Sequence, residues 1–139
     1  MPPSPSRLAS DLRLACQAVS RRVRFEAKAE IAPHEVSVLA KLKAGPKTPG
    51  ELAELEKISA PSLTRTANCL VEKGLVVRTD HPTDGRSKML SLTDEGRAVM
   101  TRVARARDDW MFRKLQGLTP DEQEILRRAV DVLNERVLA

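Results

Sequence analysis

The sequence predicts a mainly α-helical fold that carries one small β-hairpin. Apolar residues recur at spacings of three and four along most of the 139-residue chain, which is typical of amphipathic helices. One stretch, about 75–92, changes to short apolar runs around a polar, turn-rich loop, which is typical of a hairpin. Hydrophobic residues make up 41% of the chain and charged residues 31%, which suits one globular domain or one subunit of an oligomer.

The N-terminal part of the chain predicts a tail and two helices. Residues 1–6 are rich in Pro and Ser and predict a disordered tail. The apolar periodicity that follows predicts a long first helix over about 7–28. Pro33 suits the start of a second helix, which we expect to end before Gly45.

Two capping signals predict a pair of short helices in the middle of the chain. Thr48-Pro49-Gly50-Glu51 is a capping box with a proline at the first helical position. Ser59, with Pro61 in the first turn, predicts the start of a fourth helix that ends at about Lys73, before Gly74.

The period then changes from helix to strand and back again. Residues 75–78 and 88–92 predict two strands, with the loop 81–86 as the tip of a hairpin. Thr93 caps a predicted helix over about 94–116. A last helix begins after Thr119 and carries apolar residues as far as position 137.

Two short helices joined by a tight turn and followed by a hairpin describe a winged helix-turn-helix. The second short helix suits the DNA major groove, and the hairpin, or wing, can reach the adjacent minor groove. We expect a tail and dimerisation helix over 1–30, the DNA-binding lobe over 31–93 and C-terminal dimerisation helices over 94–139. The broad apolar stripes of the terminal helices favour packing across a two-fold axis.

Composition excludes several other functions. The only aromatic residues are Phe25, Trp110 and Phe112, too few for a protein that stacks single-stranded bases on rings. Two histidines and two distant cysteines offer no zinc site or His-based triad, and no Gly-rich phosphate loop is present, so we expect neither an enzyme nor a cofactor. No apolar run suits a membrane span or signal peptide, and we therefore expect a cytoplasmic protein that does not bind membranes.

Five short motifs occur in an order and at spacings that resemble a known family. They are Gly50-Glu51-Leu52-Ala53, Ser62-Leu63-Thr64-Arg65, Glu72-Lys73-Gly74-Leu75-Val76-Val77-Arg78, Asp84-Gly85-Arg86-Ser87 and Leu92-Thr93-Asp94-Glu95-Gly96. The combination resembles the MarR family of transcriptional regulators over about 34–100. The resemblance implies a homodimer that binds a pseudo-palindromic double-stranded operator, usually as a repressor. Many members of the family are released by a small phenolic or anionic aromatic ligand, and others respond to cysteine oxidation.

Candidate DNA contacts lie on the fourth helix and on the wing. A helix N-terminus attracts phosphate, short hydroxyl side chains can bond to the DNA backbone or bases, and arginine can form a fork to guanine. An arginine at a hairpin tip can enter a narrow minor groove, and Asp84 is expected to hold Arg86 or Arg78 by a charge-assisted bond. The candidates are Ser59, Ser62, Thr64, Arg65, Thr66, Asn68, Asp84, Arg86 and Lys88, with His81 as a further phosphate contact. For Ser59 the alternative is a helix cap only, for Thr66 a core-facing position, and for the wing pair a solvated ion pair.

Two sensing mechanisms remain open. By analogy with the family, the effector cavity would be lined by Val19, Arg22, Val23, His34 and Val38. The alternative is oxidation of Cys16, which has Arg13 nearby on its helix, or of Cys69 on the fourth helix; the simpler interpretation is two buried thiols. The absence of Tyr argues against the peroxide-sensing branch of the family, in which tyrosines bond to the reactive cysteine.

The formal charge of +5 is not located on the predicted DNA-binding lobe. Residues 1–30 carry six basic and three acidic groups, and residues 97–114 carry six and two. Residues 59–96 carry five of each and are neutral. Specific DNA binding would therefore depend on a few placed groups and on two copies per dimer. A winged helix used for protein contact and a ligand-independent architectural DNA binder remain as alternatives.

Overall fold

The computed structural model describes residues 1–2 and 4–139. Within them the chain forms helices and one hairpin in the predicted order, so the predicted mainly α-helical class is confirmed. The elements are α1 (Pro5–Glu26), α2 (Pro33–Leu42), α3 (Pro49–Glu56), α4 (Ala60–Glu72), β1 (Val76–Asp80), β2 (Lys88–Leu92), α5 (Asp94–Leu115), α6 (Pro120–Val132) and a π-helical segment, Leu133–Val137. In the described residues, no helix is both long enough and apolar enough to cross a membrane.

The chain divides into two compact units, residues 1–107 and 108–139. The first unit holds a continuous aliphatic core between α2, α3, α4, the hairpin and the first turns of α5. Its most completely buried side chains are Val38, Leu39, Leu42, Leu52, Leu63, Leu70 and Leu90. Leucine and valine thus form the core in place of aromatic residues and fill the space between closely packed elements.

Helix starts follow the capping signals of the sequence. Thr48 Oγ1 accepts from Glu51 N at 3.2 Å, and the Glu51 carboxylate accepts from Thr48 N at 3.0 Å. Ser59 caps α4 by accepting from Ser62 N at 3.2 Å. Thr119 and Glu122 repeat the reciprocal box at the start of α6. Each cap satisfies amide donors that the first helical turn leaves without a partner.

The first and last helices differ from the prediction. Helix α1 begins at Pro5, inside the predicted tail, because Ser4 Oγ accepts from Arg7 N and a proline suits the first helical position. It ends at Glu26, two residues before the predicted end. The predicted last helix is α-helical only to Val132. The chain then continues as a π-helical turn, in which Leu138 N donates to Leu133 O, five residues earlier, at 2.8 Å.

The terminal helices α1 and α6 bury no residue within the described chain. Large apolar side chains of α1, such as Leu8, Leu14 and Phe25, are more than half exposed. Ile125 of α6 is 64% exposed, and Val130 is 46% exposed. Both helices therefore carry apolar surface that the single chain does not cover.

The hairpin is anchored to the lobe at its root. Strands β1 and β2 pair antiparallel, with Val76 opposite Leu92 and Arg78 opposite Leu90. The pairing continues to Asp80, beyond the predicted end of the strand, because the backbone ladder does not require apolar side chains. Leu90 also exchanges two backbone hydrogen bonds with Lys47, at 2.8 and 3.1 Å, so the segment before α3 lies along the other edge of β2.

Helix α5 starts in direct contact with the residues that end α4. Gly74 has φ +75°, the left-handed conformation that terminates a helix. Thr93 Oγ1 donates to Gly74 O at 2.7 Å, and Thr93 N donates to Leu75 O at 3.1 Å. Gly96, on the first turn of α5, is buried against Leu75. The absence of a side chain at Gly96 lets the two backbones approach closely.

Candidate nucleic-acid interface

The N-terminus of α4 carries a chain of polar side chains at the surface. Ser59 Oγ donates to Ser62 Oγ at 3.0 Å, and Arg65 Nη2 donates to Ser62 Oγ at 3.1 Å. Leu63, Ala67 and Leu70 are buried on the opposite face of the same helix, as the sequence predicts. The serine cap and the arginine are therefore held together on the face that points away from the core.

The two threonines of α4 bond to their own helix. Thr64 Oγ1 donates to Ala60 O at 2.9 Å, and Thr66 Oγ1 donates to Ser62 O at 3.3 Å. Thr64 is exposed and Thr66 is half-buried. A phosphate only accepts hydrogen bonds, so each hydroxyl would have to release its helix carbonyl before donating to DNA. Arg65 and Ser62 need no such rearrangement of a backbone bond.

The wing tip is organised by Asp84, in a different way from the one predicted. Asp84 Oδ1 accepts from the backbone N of Arg86 at 3.0 Å, and Oδ2 accepts from Ser87 Oγ at 3.2 Å. The predicted bond from Asp84 to an arginine guanidinium is therefore wrong: the carboxylate forms a local turn instead. His81 Nδ1 accepts from the backbone N of Thr83 and Asp84, at 3.2 and 3.1 Å. Arg86 is exposed at this tip.

Two basic residues of the wing strands have partners of different charge. Lys88 pairs with Asp80 across the hairpin, and its bond holds the pKa of Asp80 below the ordinary value. Arg78 donates to the side-chain oxygen of Asn68 on α4. The sequence prediction did not include Arg78 among the DNA contacts, since only the register of β1 shows that it faces the helix.

An ion pair between a buried carboxylate and an exposed lysine ties the start of α2 to the end of α4. Glu35 is 4% exposed and accepts from Lys73 Nζ at 2.9 and 3.1 Å and from Ala32 N at 3.0 Å. Burial alone would raise the pKa of Glu35, but these bonds outweigh it, and the pKa lies below the ordinary value of 4.5. Cys69, half-buried on α4, also interacts with this pair. No sequence motif indicates the pair, because its members are 38 residues apart.

The residues predicted to line an effector cavity do not share one environment. Val38 is 2% exposed in the core, whereas Val23 is half-buried and Val19 is 45% exposed. Arg22 pairs with Glu26 along α1 at 2.6 Å, and His34 is exposed at the start of α2.

The simpler interpretation of the cysteines, two buried thiols, is wrong for Cys16. It is exposed on α1, and Arg13, the cation expected near it, donates to Gln17 at 3.5 Å. Cys69 is half-buried. Among the described residues, no group of three or more His, Cys, Asp or Glu side chains could hold a metal ion.

Known proteins match both the sequence and the fold. A model of the MarR family matches residues 30–87. An uncharacterized HTH-type transcriptional regulator of Mycobacterium leprae, ML2140, is 37% identical over 136 residues, which is 96% of this chain and 95% of that protein. The HTH-type transcriptional repressor MdtR of Bacillus subtilis is 35% identical over 91% of this chain and 84% of its own.

Solved structures of the MarR protein of Escherichia coli have the same fold. The apo form matches with a TM-score of 0.73 and 25% identity, over 96% of this chain and 98% of that one. A mutant form in complex with operator DNA matches with a TM-score of 0.62 and 25% identity, over 91% and 93%. Members of the family are DNA-binding transcriptional regulators and not enzymes. The chain has polar groups at the start of α4 and a hairpin wing beside that helix, and relatives match it along nearly its whole length. The chain therefore belongs to the MarR family.

Proposed function

We propose that the protein is a homodimeric repressor that binds a pseudo-palindromic operator through α4 and the wing. The observation that carries the proposal is the bond at the start of α4 between half-buried Ser62 and Arg65, which is exposed on the face opposite the core. The positive partial charge of a helix N-terminus and a positioned arginine suit the edge of a guanine and its adjacent phosphate. The name of the relative MdtR, a transcriptional repressor, supports repression rather than activation.

Dimerisation would give the uncovered apolar faces of α1 and α6 a partner. These helices bury nothing within the described chain, and their exposed leucine, isoleucine and valine side chains suit a second copy. In this proposal residues 1–30 and 94–139 form the dimerisation regions, and residues 31–93 form the DNA-binding lobe. Light scattering coupled to gel filtration tests it, since a dimer has twice the chain mass of 15.4 kDa.

Selection of bound duplexes from a random-sequence library tests sequence-specific binding. The proposal expects enriched duplexes that contain two inverted half-sites about 10 base pairs apart, because a two-fold dimer presents two α4 helices one DNA turn apart. Equal binding of all duplexes would favour an architectural DNA binder. The absence of duplex binding would favour a winged helix used for protein contact.

We expect Arg86→Ala to weaken operator binding about tenfold or more, because each protomer then lacks a charge-assisted bond in the minor groove. Arg86 is exposed, and only its backbone takes part in a hydrogen bond among the described residues, so the thermal midpoint should change little. Fluorescence anisotropy with the selected duplex measures the affinity. Unchanged affinity would show that the wing tip does not touch DNA.

Arg65→Ala should have a different signature. We expect it to relax sequence preference, lowering affinity for the selected duplex by about tenfold while affinity for a mixed-sequence duplex falls less, because a fork to guanine discriminates by roughly 1–3 kcal/mol. The same anisotropy titration with both duplexes measures the ratio. An equal loss for the two duplexes would assign Arg65 to the phosphate backbone.

A small aromatic or anionic effector is the first candidate signal. The proposed site is the region of α1 and α2 that contains Val19, Arg22, Val23, His34 and Val38. A cavity that includes Val38 requires the core around α2 to open, since this side chain is closed from solvent. A small-molecule screen by thermal shift in the presence of the operator tests this mechanism.

Thiol oxidation is the second candidate signal, and the surroundings of Cys69 favour it over Cys16. Cys69 lies beside the Glu35–Lys73 pair, which joins α2 to the end of α4. Oxidation would add polar volume at this junction and displace the helix that carries Arg65. Peroxide should then lower operator affinity in the wild type and leave Cys69→Ser unaffected, while Cys16→Ser responds like the wild type. A cytoplasmic location is consistent with reduced thiols at rest.

A further inference from the structure

The hairpin register places one arginine at the junction between the wing and α4. Successive side chains of a strand point to opposite sides, so Arg78 shares the side of Val76, which is 3% exposed in the core. Val77, on the other side, is 45% exposed. Arg78 lies beyond the edge of the core, is exposed, and meets Asn68 on the outer part of α4.

The partner of Arg78 leaves its charge uncompensated. Lys88 and Lys73 are paired with Asp80 and Glu35, and both charges are therefore balanced within the lobe. The partner of Arg78 is a neutral amide. In a segment with equal numbers of acidic and basic groups, Arg78 is thus a locally positive and oriented group.

When α4 occupies a major groove and the wing reaches the adjacent minor groove, one sugar-phosphate strand separates the two grooves. That strand must pass over the junction between α4 and the wing. We propose that Arg78 binds a phosphate of this strand and that Asn68 is the positioning residue that aims it. The amide fixes part of the guanidinium fork and leaves other N–H donors for the phosphate oxygens.

This inference rests on the proposed operator binding and deepens it, since it assigns the contact between the two groove-binding elements. It also gives Asn68 a role different from the direct DNA contact predicted from the sequence. A phosphate contact contributes to all duplexes, whereas a base contact contributes to the selected one.

The test measures affinity over a range of salt concentrations for Arg78→Ala, Arg78→Lys and Arg128→Ala. The probes are a duplex of about 30 base pairs selected by the wild type and a mixed-sequence duplex of the same length. Arg128, which pairs with Glu124 on α6 and has a 79% exposed side chain, is the control for removal of one positive charge outside the DNA-binding lobe, and light scattering checks that this variant keeps the wild-type mass. Arg78→Ala should bind both duplexes about tenfold more weakly, and its salt slope should fall by about 0.9 for each phosphate that the variant no longer neutralises. Arg78→Lys should keep most of the salt slope, because the charge remains.

Two substitutions of Asn68 test the positioning role. Asn68→Asp turns the neutral partner into a carboxylate that competes with the phosphate, so its affinity and salt slope should fall as far as in Arg78→Ala. Asn68→Ala keeps the charge of Arg78 but removes the amide that orients it. The affinity for both duplexes should therefore fall equally, and by less than in Arg78→Ala. Thermal unfolding of each variant checks that the fold is intact.

The inference is overturned if Arg78→Ala matches Arg128→Ala in affinity and salt slope while Arg86→Ala still weakens binding. A change of sequence preference in Asn68→Ala would contradict the positioning role and return Asn68 to base contact. If the wild type itself binds no duplex, the proposed operator binding fails first, and the assignment of Arg78 fails with it.

Discussion

Gly96→Ala should lower the free energy of unfolding by about 2 kcal/mol. A methyl group at this position would lie well inside van der Waals contact with the backbone oxygen of Leu75 and 3.1 Å from Leu92 Cδ2. Relief of such a clash requires α5 to move away from the root of the hairpin, at a cost of about 3 kcal/mol. The better helix propensity of alanine offsets about 1 kcal/mol of this. Urea or thermal unfolding measures the difference.

Gly50→Ala is the matched control for this change. Gly50 also lies in the first turn of a helix, but a methyl group there would be 4.0 Å from Thr48 Oγ1, its nearest neighbour. We expect it to leave stability unchanged or raise it by up to about 1 kcal/mol. If both alanine variants are as stable as the wild type, close backbone approach at Gly96 is not what holds α5 in place.

Removal of Lys73 should be the second large effect, at about 3 kcal/mol at pH 7. Lys73→Met leaves the Glu35 carboxylate, with 5% of its side chain exposed, without a compensating charge. Glu35→Gln should cost less, because the neutral amide keeps an acceptor for Ala32 N and the lysine, 40% exposed, can be hydrated. Chemical denaturation at pH 7 measures both variants.

The pH dependence of the wild type and of Lys73→Met should differ in sign. In the wild type the pKa of Glu35 lies below 4.5, so the pair stabilises the fold fully above pH 4.5 and this contribution is lost as the pH falls through the lowered pKa. In Lys73→Met the burial of Glu35 favours its protonated form, and the stability deficit should shrink as the pH falls from 7 toward 4. A deficit that is constant over this range would show that Lys73 acts through packing alone.

The local features of the fold were predictable because they depend on neighbouring residues. A serine or threonine followed by proline marks the starts of α3, α4 and α6, and their side chains make the expected cap bonds. Ser4-Pro5 carries the same signal at α1, and the composition of residues 1–6 concealed it. The polar end of β1 was missed since its pairing comes from the backbone ladder rather than from apolar residues.

The distant contacts of the site were not predictable in this way. One short-range contact was also missed. The carboxylate of Asp84 bonds to the backbone of Arg86 rather than to its side chain, and the charge pattern does not reveal this. Arg78 and Asn68, or Glu35 and Lys73, meet only after helices and hairpin pack together. Of the predicted contacts, Ser59, Ser62 and Arg65 form one surface network on α4, because helical spacing alone brings them together.

The backbone exchange between Lys47 and Leu90 has a consequence for how the wing meets its target. Because β2 is hydrogen-bonded along both edges at this point, its amides should exchange with deuterium more slowly than those of the loop 81–87, whose exposed hydrogen bonds lie within the loop itself. The base of the hairpin is therefore fixed along both edges of β2, whereas the hydrogen bonds of the tip lie within its own turn. We therefore expect the loop to adjust to sequence-dependent changes in groove width by rearranging its own hydrogen bonds, while the paired root of the hairpin stays packed in the aliphatic core.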